Sequence, residues 1–439
     1  MNWLDKLSQV EISQELVYVF LLLGLFVVPR ILQRVSVPRA ITSLGLGALA
    51  AYFLPELGHD PAVILFSTLG IVSLFLFAGL EVEVHELRRE ARFLGVHLGV
   101  GLLVLTLFSF GFARLFGMDA RAAALVGLAV LTPSAGFILE SLDGSAASER
   151  ERFWIRTKVI SNELLALGVL FVTLKSTTWT ELALSAVALA GLVIGLPWLF
   201  RLFAKLVVPH APKSEFAFLI MVAVVCALLT KKLGVYYLVG AFVVGMAAQR
   251  FRTHLPAMAS ERMLHAVESF ASLFVPFYFF YAGLKLSASD FRLEAILVGL
   301  GLLAVTLPLR IAVVSVLRRF VLREGWSQGW RVSISMLPTL IFTLVLAQIL
   351  REQFDVPGYV FGGLMVYAIV CTVLPTWILH LPPPEFDEPT ISDSPSLPPE
   401  LQLVLQAAGG ADAGRPAGST SGTAAPSTDP HDPGSAPGL

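Results

Sequence analysis

The chain has 439 residues, of which 56% are hydrophobic and 14% are charged, and its net charge is −1. A soluble domain carries about 25% charged residues, so this composition excludes an ordinary soluble protein. The near-zero net charge says little about partners, and we expect no nucleic-acid partner. The two cysteines, Cys226 and Cys371, lie inside apolar runs and indicate neither a disulfide framework nor a metal site.

Apolar runs long enough to cross about 30 Å of hydrocarbon recur from Glu15 to His380. We therefore predict an all-α polytopic membrane protein with about thirteen transmembrane helices. The predicted spans are 15–34, 39–54, 62–80, 92–116, 121–141, 153–175, 180–204, 215–231, 235–249, 266–285, 292–318, 329–350 and 357–379. Lys and Arg concentrate in alternate loops, which predicts a multi-pass protein of the cell (inner) membrane with its N-terminus outside and its C-terminus in the cytoplasm.

The composition changes after the last span. Residues 1–382 form the predicted membrane domain, whereas residues 383–439 are rich in Pro, Gly, Ala, Ser and Asp and contain few aromatic residues. Such a segment cannot bury enough apolar surface to fold alone. We expect it to be a disordered cytoplasmic tail.

Two pairs of matching segments reveal an internal repeat. The third span ends with Ala78-Gly79-Leu80, and the tenth ends with Ala282-Gly283-Leu284, which lies 204 residues later. Pro133 and Pro338 match at an offset of 205. An odd number of spans separates the matched elements, so the two halves are inverted. Inverted repeats are typical of secondary transporters, whose sites lie near the membrane midplane beside broken helices.

The two matched prolines, Pro133 and Pro338, are candidate helix breaks, because proline removes a backbone donor and clashes with the preceding turn. The freed helix ends, with Thr132, Ser134 and Thr339, would form the crossing. A simple kink is the alternative for each proline alone. The glycine-rich segments Leu44–Gly47 and Gly240–Gly245 indicate close helix packing.

Two charged residues fall deep within predicted spans. Glu163 lies near the middle of the sixth span, where an ionised carboxylate costs about 2.5–3.5 kcal/mol on insertion scales. We expect it to face a water-filled path or a partner; the alternative is a protonated packing residue. Arg310 in the eleventh span could bridge the carbonyl ends of broken helices or pair with Glu163. We expect Lys158 to lie in a funnel or at the headgroups.

The sequence contains no cluster with metal-ligand spacing and no nucleophile–base motif. We therefore expect no enzymatic activity, no cofactor and no metal other than a transported monovalent cation.

Four segments of the chain match a known family: residues 74–81, 161–167, 234–245 and 275–284. On these segments the chain resembles the monovalent cation:proton antiporter superfamily, with the sodium/hydrogen exchanger fold, and especially its bacterial potassium-efflux-like branch. The resemblance implies a homodimer and a core with two crossed, unwound helices. The core helices would be 92–175 and 292–379, and the scaffold helices 15–80 and 215–285.

The resemblance also implies an activity and a site. The family's Asn-Asp or Asp-Asp pair falls on Asn162 and Glu163, and its basic core residue falls on Arg310. We expect a secondary antiporter that exchanges Na⁺ or K⁺ for H⁺ by competition at Glu163, with Asn162 and Ser161 supplying neutral oxygens. Since only one of these groups titrates, we expect electroneutral 1:1 exchange. The alternative is a non-transporting membrane sensor or scaffold, and Glu in place of Asp is a departure from the family pattern.

Overall fold

The computed structural model describes residues 14–82, 91–135, 138, 149–211, 213–251, 260–321 and 325–379. Regular structure in these residues is entirely helical, so the predicted all-α fold is confirmed. The predicted tail, residues 383–439, lies outside them. The helices are α1 (Gln14–Gln33), α2 (Arg39–Phe53), α3 (Pro61–Leu80), α4 (Ala91–Phe116), α5 (Ala120–Leu131), α6 (Glu149–Lys175), α7 (Trp179–Leu206), α8 (Glu215–Lys232), α9 (Tyr237–Phe251), α10 (Glu261–Leu284), α11 (Leu293–Val321), α12 (Trp326–Ser335), α13 (Leu340–Phe354) and α14 (Gly358–Leu379), with short 3-10 turns at Pro55–His59 and Ala288–Phe291.

Each predicted span overlaps one of these helices, except the twelfth, which overlaps both α12 and α13. Eight described helices are long and apolar enough to cross a membrane alone, and α12 and α13, bent by 51° at their break, make a ninth span. The helices α2, α5, α8 and α9 do not pass this test. At 1.5 Å per residue, the 15 residues of α2 and of α9 are shorter than the hydrocarbon core. The number thirteen is therefore approximate.

Helix α3 shows how the sequence sets a helix start inside an apolar chain. Asp60 precedes it, and its side chain accepts hydrogen bonds from the backbone N–H groups of Ala62 at 2.9 Å and Val63 at 3.0 Å. Pro61 occupies the first helical position, where the missing N–H costs nothing. The following residues to Leu80 carry no charge, so α3 suits the membrane interior throughout.

Glycines bring two pairs of helices into backbone contact. At Gly79 in α3, an added Cβ would lie 3.0 Å from the Cα of Gly245 in α9, as well as overlapping the Phe242 carbonyl. At Gly283 in α10, it would lie 2.9 Å from the Cα of Gly47 in α2. The expected role of the glycine-rich segments in close packing is confirmed. Each contact joins a helix of the first half to a helix of the second, and Gly79 and Gly283 occupy matched positions of the repeat.

The described helices pack in two groups. Helix α3 packs along α9 and α10, α10 packs along α2, and α8 packs along α9. In the second group, α4 packs on α5 and α6, while α11 packs on α12 and α14 and α13 joins α5 to α14. Helix α7 contacts α9 in the first group and α6 in the second. The broken helices thus lie together in the second group.

Candidate ion-binding site

The two predicted helix breaks meet each other. Residues 132–134 after α5 and residues 337–339 before α13 are not helical. The backbone N–H of Ser134 donates to the carbonyl oxygen of Pro338 at 2.8 Å, and the N–H of Ile341 donates to the hydroxyl of Ser134 at 3.2 Å. Both prolines therefore lie in true breaks rather than in simple kinks, and the two broken helices cross in contact.

Side chains from the second half also satisfy the open carbonyl end of α5. The Thr343 hydroxyl in α13 donates to the carbonyl oxygen of Ala129 at 2.7 Å, and the Tyr367 hydroxyl in α14 donates to that of Val130 at 2.7 Å. The last carbonyls of a helix have no partner within the helix. These bonds tie the two halves together at the crossing.

The guanidinium of Arg310 lies at the carbonyl ends of both α5 and α12. It donates hydrogen bonds to the carbonyl oxygens of Met336 at 2.6 Å, Leu337 at 3.1 Å and Val130 at 3.4 Å. It also donates to the Tyr367 hydroxyl at 3.2 Å. The carbonyl end of a helix carries a partial negative charge, which a guanidinium stabilises. Of the two partners considered from the sequence, the structure places Arg310 on the carbonyls.

Glu163 lies near the middle of α6 and is 4% exposed. Its Oε1 accepts a hydrogen bond from the backbone N–H of Ala135 at 3.2 Å, directly after the first break. Among the described residues, no hydrogen bond joins Glu163 to Arg310. At the break after α5, the Arg310 guanidinium therefore donates to a carbonyl group before the break, and the Glu163 carboxylate accepts from a backbone N–H group after it.

A second acidic residue, Glu81, belongs to the other helix group. It follows α3 as its C-cap residue and is half-buried, and its charge acts on Glu163 electrostatically. From the sequence, Glu81 belonged only to the family resemblance and was not predicted to lie in the site. A signal existed: Glu81 ends a charge-free span, and its repeat counterpart is Lys285, so the two halves differ in charge at matched positions.

The other two predicted cation ligands on α6 face elsewhere. The Ser161 side chain is fully buried, and its hydroxyl donates to the carbonyl oxygen of Thr157 at 2.6 Å. Asn162 is half-buried and lines a cavity to which neither Ser161 nor Glu163 contributes. Adjacent helical residues point about 100° apart, which explains this divergence. The structure therefore does not bring Asn162 and Glu163 to one surface, and their joint coordination of an ion stays a prediction.

The remaining predicted residues lie at the crossing. Thr132 caps the end of α5, is buried, and lines the same cavity as Asn162 and Pro133. Thr339 precedes α13 and is fully buried, and its hydroxyl has no hydrogen-bond partner within the described part of the chain. A buried hydroxyl without a partner is uncommon and is suited to an additional ligand.

Lys158 differs from its expected position. It is 4% exposed and lies on the cavity wall, one turn before Asn162, rather than at the lipid headgroups. Arg310 lines the same cavity. The site is thus divided by charge: the basic residues Lys158 and Arg310 line the cavity, and Glu163 does not. A search of the described residues finds no group of three or more His, Cys, Asp or Glu that could hold a metal ion.

Comparisons with known proteins agree with this architecture. The family model described as "Sodium/hydrogen exchanger, transmembrane" matches residues 19–383. The Na⁺/H⁺ antiporter NhaS5 of Synechocystis sp. is 24% identical over 346 residues, covering 75% of this chain and 48% of its own length. The probable Na⁺/H⁺ antiporter 3 of Methanocaldococcus jannaschii is 23% identical over 393 residues, covering 83% of this chain and 96% of its own. The chain therefore spans about half the length of one of these relatives and nearly all of the other.

A solved structure shows the same fold. The sodium proton antiporter MjNhaP1 from Methanocaldococcus jannaschii at pH 8 superposes with a TM-score of 0.59 and 16% identity, covering 83% of this chain and 95% of that chain. This likeness extends the fold across nearly all of the described helices. The chain is a multi-pass membrane protein of a transporter family, not an enzyme. On the match across residues 19–383, it belongs to the sodium/hydrogen exchanger family.

Proposed function

We propose that the protein is a secondary antiporter that exchanges Na⁺ for H⁺, and that Glu163 binds either ion in turn. The observation that carries this proposal is the burial of Glu163 at the crossing of two broken helices, where its carboxylate accepts a hydrogen bond from the backbone N–H of Ala135. Such crossings hold the ion sites of secondary transporters. The names of the two relatives favour Na⁺ as the cation; K⁺ is the competing candidate.

Exchange would be electroneutral, with one proton for one cation. Glu163 would carry the exchanged proton alone, because its buried carboxyl group can bind either one proton or one monovalent cation. Arg310 is engaged with carbonyl groups, so it takes no part in the exchange. The Thr339 hydroxyl, which has no hydrogen-bond partner among the described residues, would be a neutral ligand for the cation.

Transport would proceed by movement of one helix group against the other. We assign residues 92–175 and 292–379 to a moving core and residues 15–80 and 215–285 to a scaffold that forms a homodimer in the cell (inner) membrane. The glycine contacts of α3 with α9 and of α2 with α10 support a rigid scaffold. The N-terminus would lie outside, and the tail after residue 382 in the cytoplasm.

The test uses purified protein in proteoliposomes with a pH-sensitive dye inside. A proton gradient is imposed, and Na⁺ or K⁺ is then added outside. We expect Na⁺ to dissipate the gradient in the wild type and in Glu294→Gln, which removes an exposed carboxylate at the start of α11. Glu163→Gln should reduce the rate at least 100-fold, since an amide cannot exchange a proton.

Two results would contradict the proposal. Equal rates in Glu163→Gln and Glu294→Gln would place the exchanged proton elsewhere. No cation-dependent signal in folded wild-type protein would favour the non-transporting sensor, which predicts that Glu163 is dispensable. For electroneutrality, the exchange rate should not change when a membrane potential is imposed; a rate that follows the potential would refute the 1:1 stoichiometry.

A further inference from the structure

The cavity beside the crossing carries an excess of positive charge. It is formed by helices of the second group only, namely α4, α5, α6, α11 and α12, and its charged wall residues are Lys158 and Arg310. No carboxylate appears among its described lining residues. The cavity therefore differs in chemistry from the Glu163 carboxylate, which does not line it.

Lys158 is buried in this wall without a counter-ion. Its side chain is 4% exposed, and the described residues offer it neither a hydrogen bond nor an ion pair. The groups within its electrostatic range are both basic: Arg310 from α11 and His97 from α4. His97 is itself buried and packs edge-on against Trp154. Burial of an ammonium group without a negative partner costs free energy. A bound anion would supply that partner and complete the site.

A second donor faces the same space. Asn162 follows Lys158 by four residues, so the two side chains lie on one face of α6, and both line the cavity. None of the described residues forms a hydrogen bond with the side-chain amide of Asn162. Arg310 adds its charge, although its donors are engaged with carbonyl groups. The ammonium of Lys158 and the amide of Asn162 are thus both available as donors to a ligand in the cavity.

We propose that this cavity binds a small monovalent anion of the halide class, held by the Lys158 ammonium and the Asn162 amide. The rest of the wall is mainly apolar, with Val104, Leu105 and Val313 among its members. Halides accept few hydrogen bonds and lose hydration at lower cost than multiply charged oxyanions, which need more donors than this wall provides. The site is separate from the cation site, and its occupancy does not depend on the proposed antiport.

The test measures thermal unfolding of the detergent-solubilised full chain in sodium chloride, sodium bromide and sodium gluconate at equal ionic strength. Gluconate, a bulky and strongly hydrated carboxylate, serves as the reference anion. A ligand that binds only the folded state raises its stability in proportion to the logarithm of its concentration. We expect chloride and bromide to raise the wild-type midpoint by about 2 °C at tenfold the dissociation constant.

Three variants test whether the halide-dependent shift depends on the charge of Lys158. Lys158→Gln should lose the halide-dependent shift, Lys158→Arg should retain it, and Arg156→Gln should retain it because Arg156 is exposed on the same helix. If Lys158→Gln does not fold, Asn162→Leu should weaken the shift in its place. Absence of the shift in folded wild type would overturn the proposal, and so would an unchanged shift in Lys158→Gln. Because the readout is stability, failure here leaves the proposed transport at Glu163 untouched, and the converse also holds.

Discussion

Arg310 joins the carbonyl ends of α5 and α12 at the crossing through hydrogen bonds, and the loss of these bonds has a calculable cost. In Arg310→Met, the carbonyl oxygens of Met336 and Leu337 lose their donor, while Val130 keeps the hydroxyl of Tyr367. An orphaned buried acceptor costs about 1–3 kcal/mol. Two orphaned carbonyls would therefore cost about 2–6 kcal/mol.

We expect the loss of stability in Arg310→Met to fall in the lower part of this range. Arg310 is half-buried and lines the cavity, so water can reach the vacated space and satisfy part of the lost bonding. We expect a loss of about 2–3 kcal/mol, and a smaller loss for Arg310→Lys, whose single ammonium cannot span both helix ends. The assay is thermal unfolding in detergent at a fixed scan rate, where this loss corresponds to about 4 °C for a chain of this size.

The matched control is Arg331→Met, which removes an exposed arginine from α12. It should change the midpoint by less than about 1 °C, since exposed substitutions cost little. If Arg310→Met unfolded at the wild-type midpoint, the carbonyl contacts of Arg310 would contribute nothing to stability. The account of the crossing given above would then be wrong.

Three further outcomes follow from the same contacts. Glu81→Gln should raise the apparent KM for Na⁺ in the proteoliposome assay while transport persists, since it removes a negative charge that acts on Glu163; an unchanged KM would exclude Glu81 from the site. Gly245→Val should abolish folded, monodisperse protein in size-exclusion chromatography, because its side chain would overlap the backbone of α3; normal elution would contradict the close crossing. Tyr367→Phe should lower the unfolding midpoint by about 2 °C, because the carbonyl of Val130 loses its shortest donor; an unchanged midpoint would show that Arg310 or water replaces that bond.

The helices and their breaks could be predicted because they depend on properties that the sequence displays directly. Long apolar runs specify helices in a membrane, since backbone groups must be satisfied within each segment. Taken alone, Pro133 and Pro338 were each compatible with a simple helix kink. Their matched positions in the repeat favoured helix breaks instead. The structure places both prolines outside helical segments.

The partners of the charged residues were harder to predict. Depth in the membrane follows from position along a span, but the direction of a side chain depends on how helices rotate against each other. Lys158 was expected in a funnel or at the headgroups from its distance to Glu163, yet packing with α4 and α11 buries it in a cavity wall. Glu81 follows its span directly and so looked like an ordinary residue at a helix end.

The central claim is that one cation and one proton compete at Glu163. Isothermal titration of Na⁺ into the purified protein, repeated in two buffers of different ionisation enthalpy, counts the protons released for each ion bound. We expect close to one proton per Na⁺ in the wild type and no release in Glu163→Gln. Binding of Na⁺ without proton release in the wild type, or with undiminished release in Glu163→Gln, would contradict competition at this carboxylate.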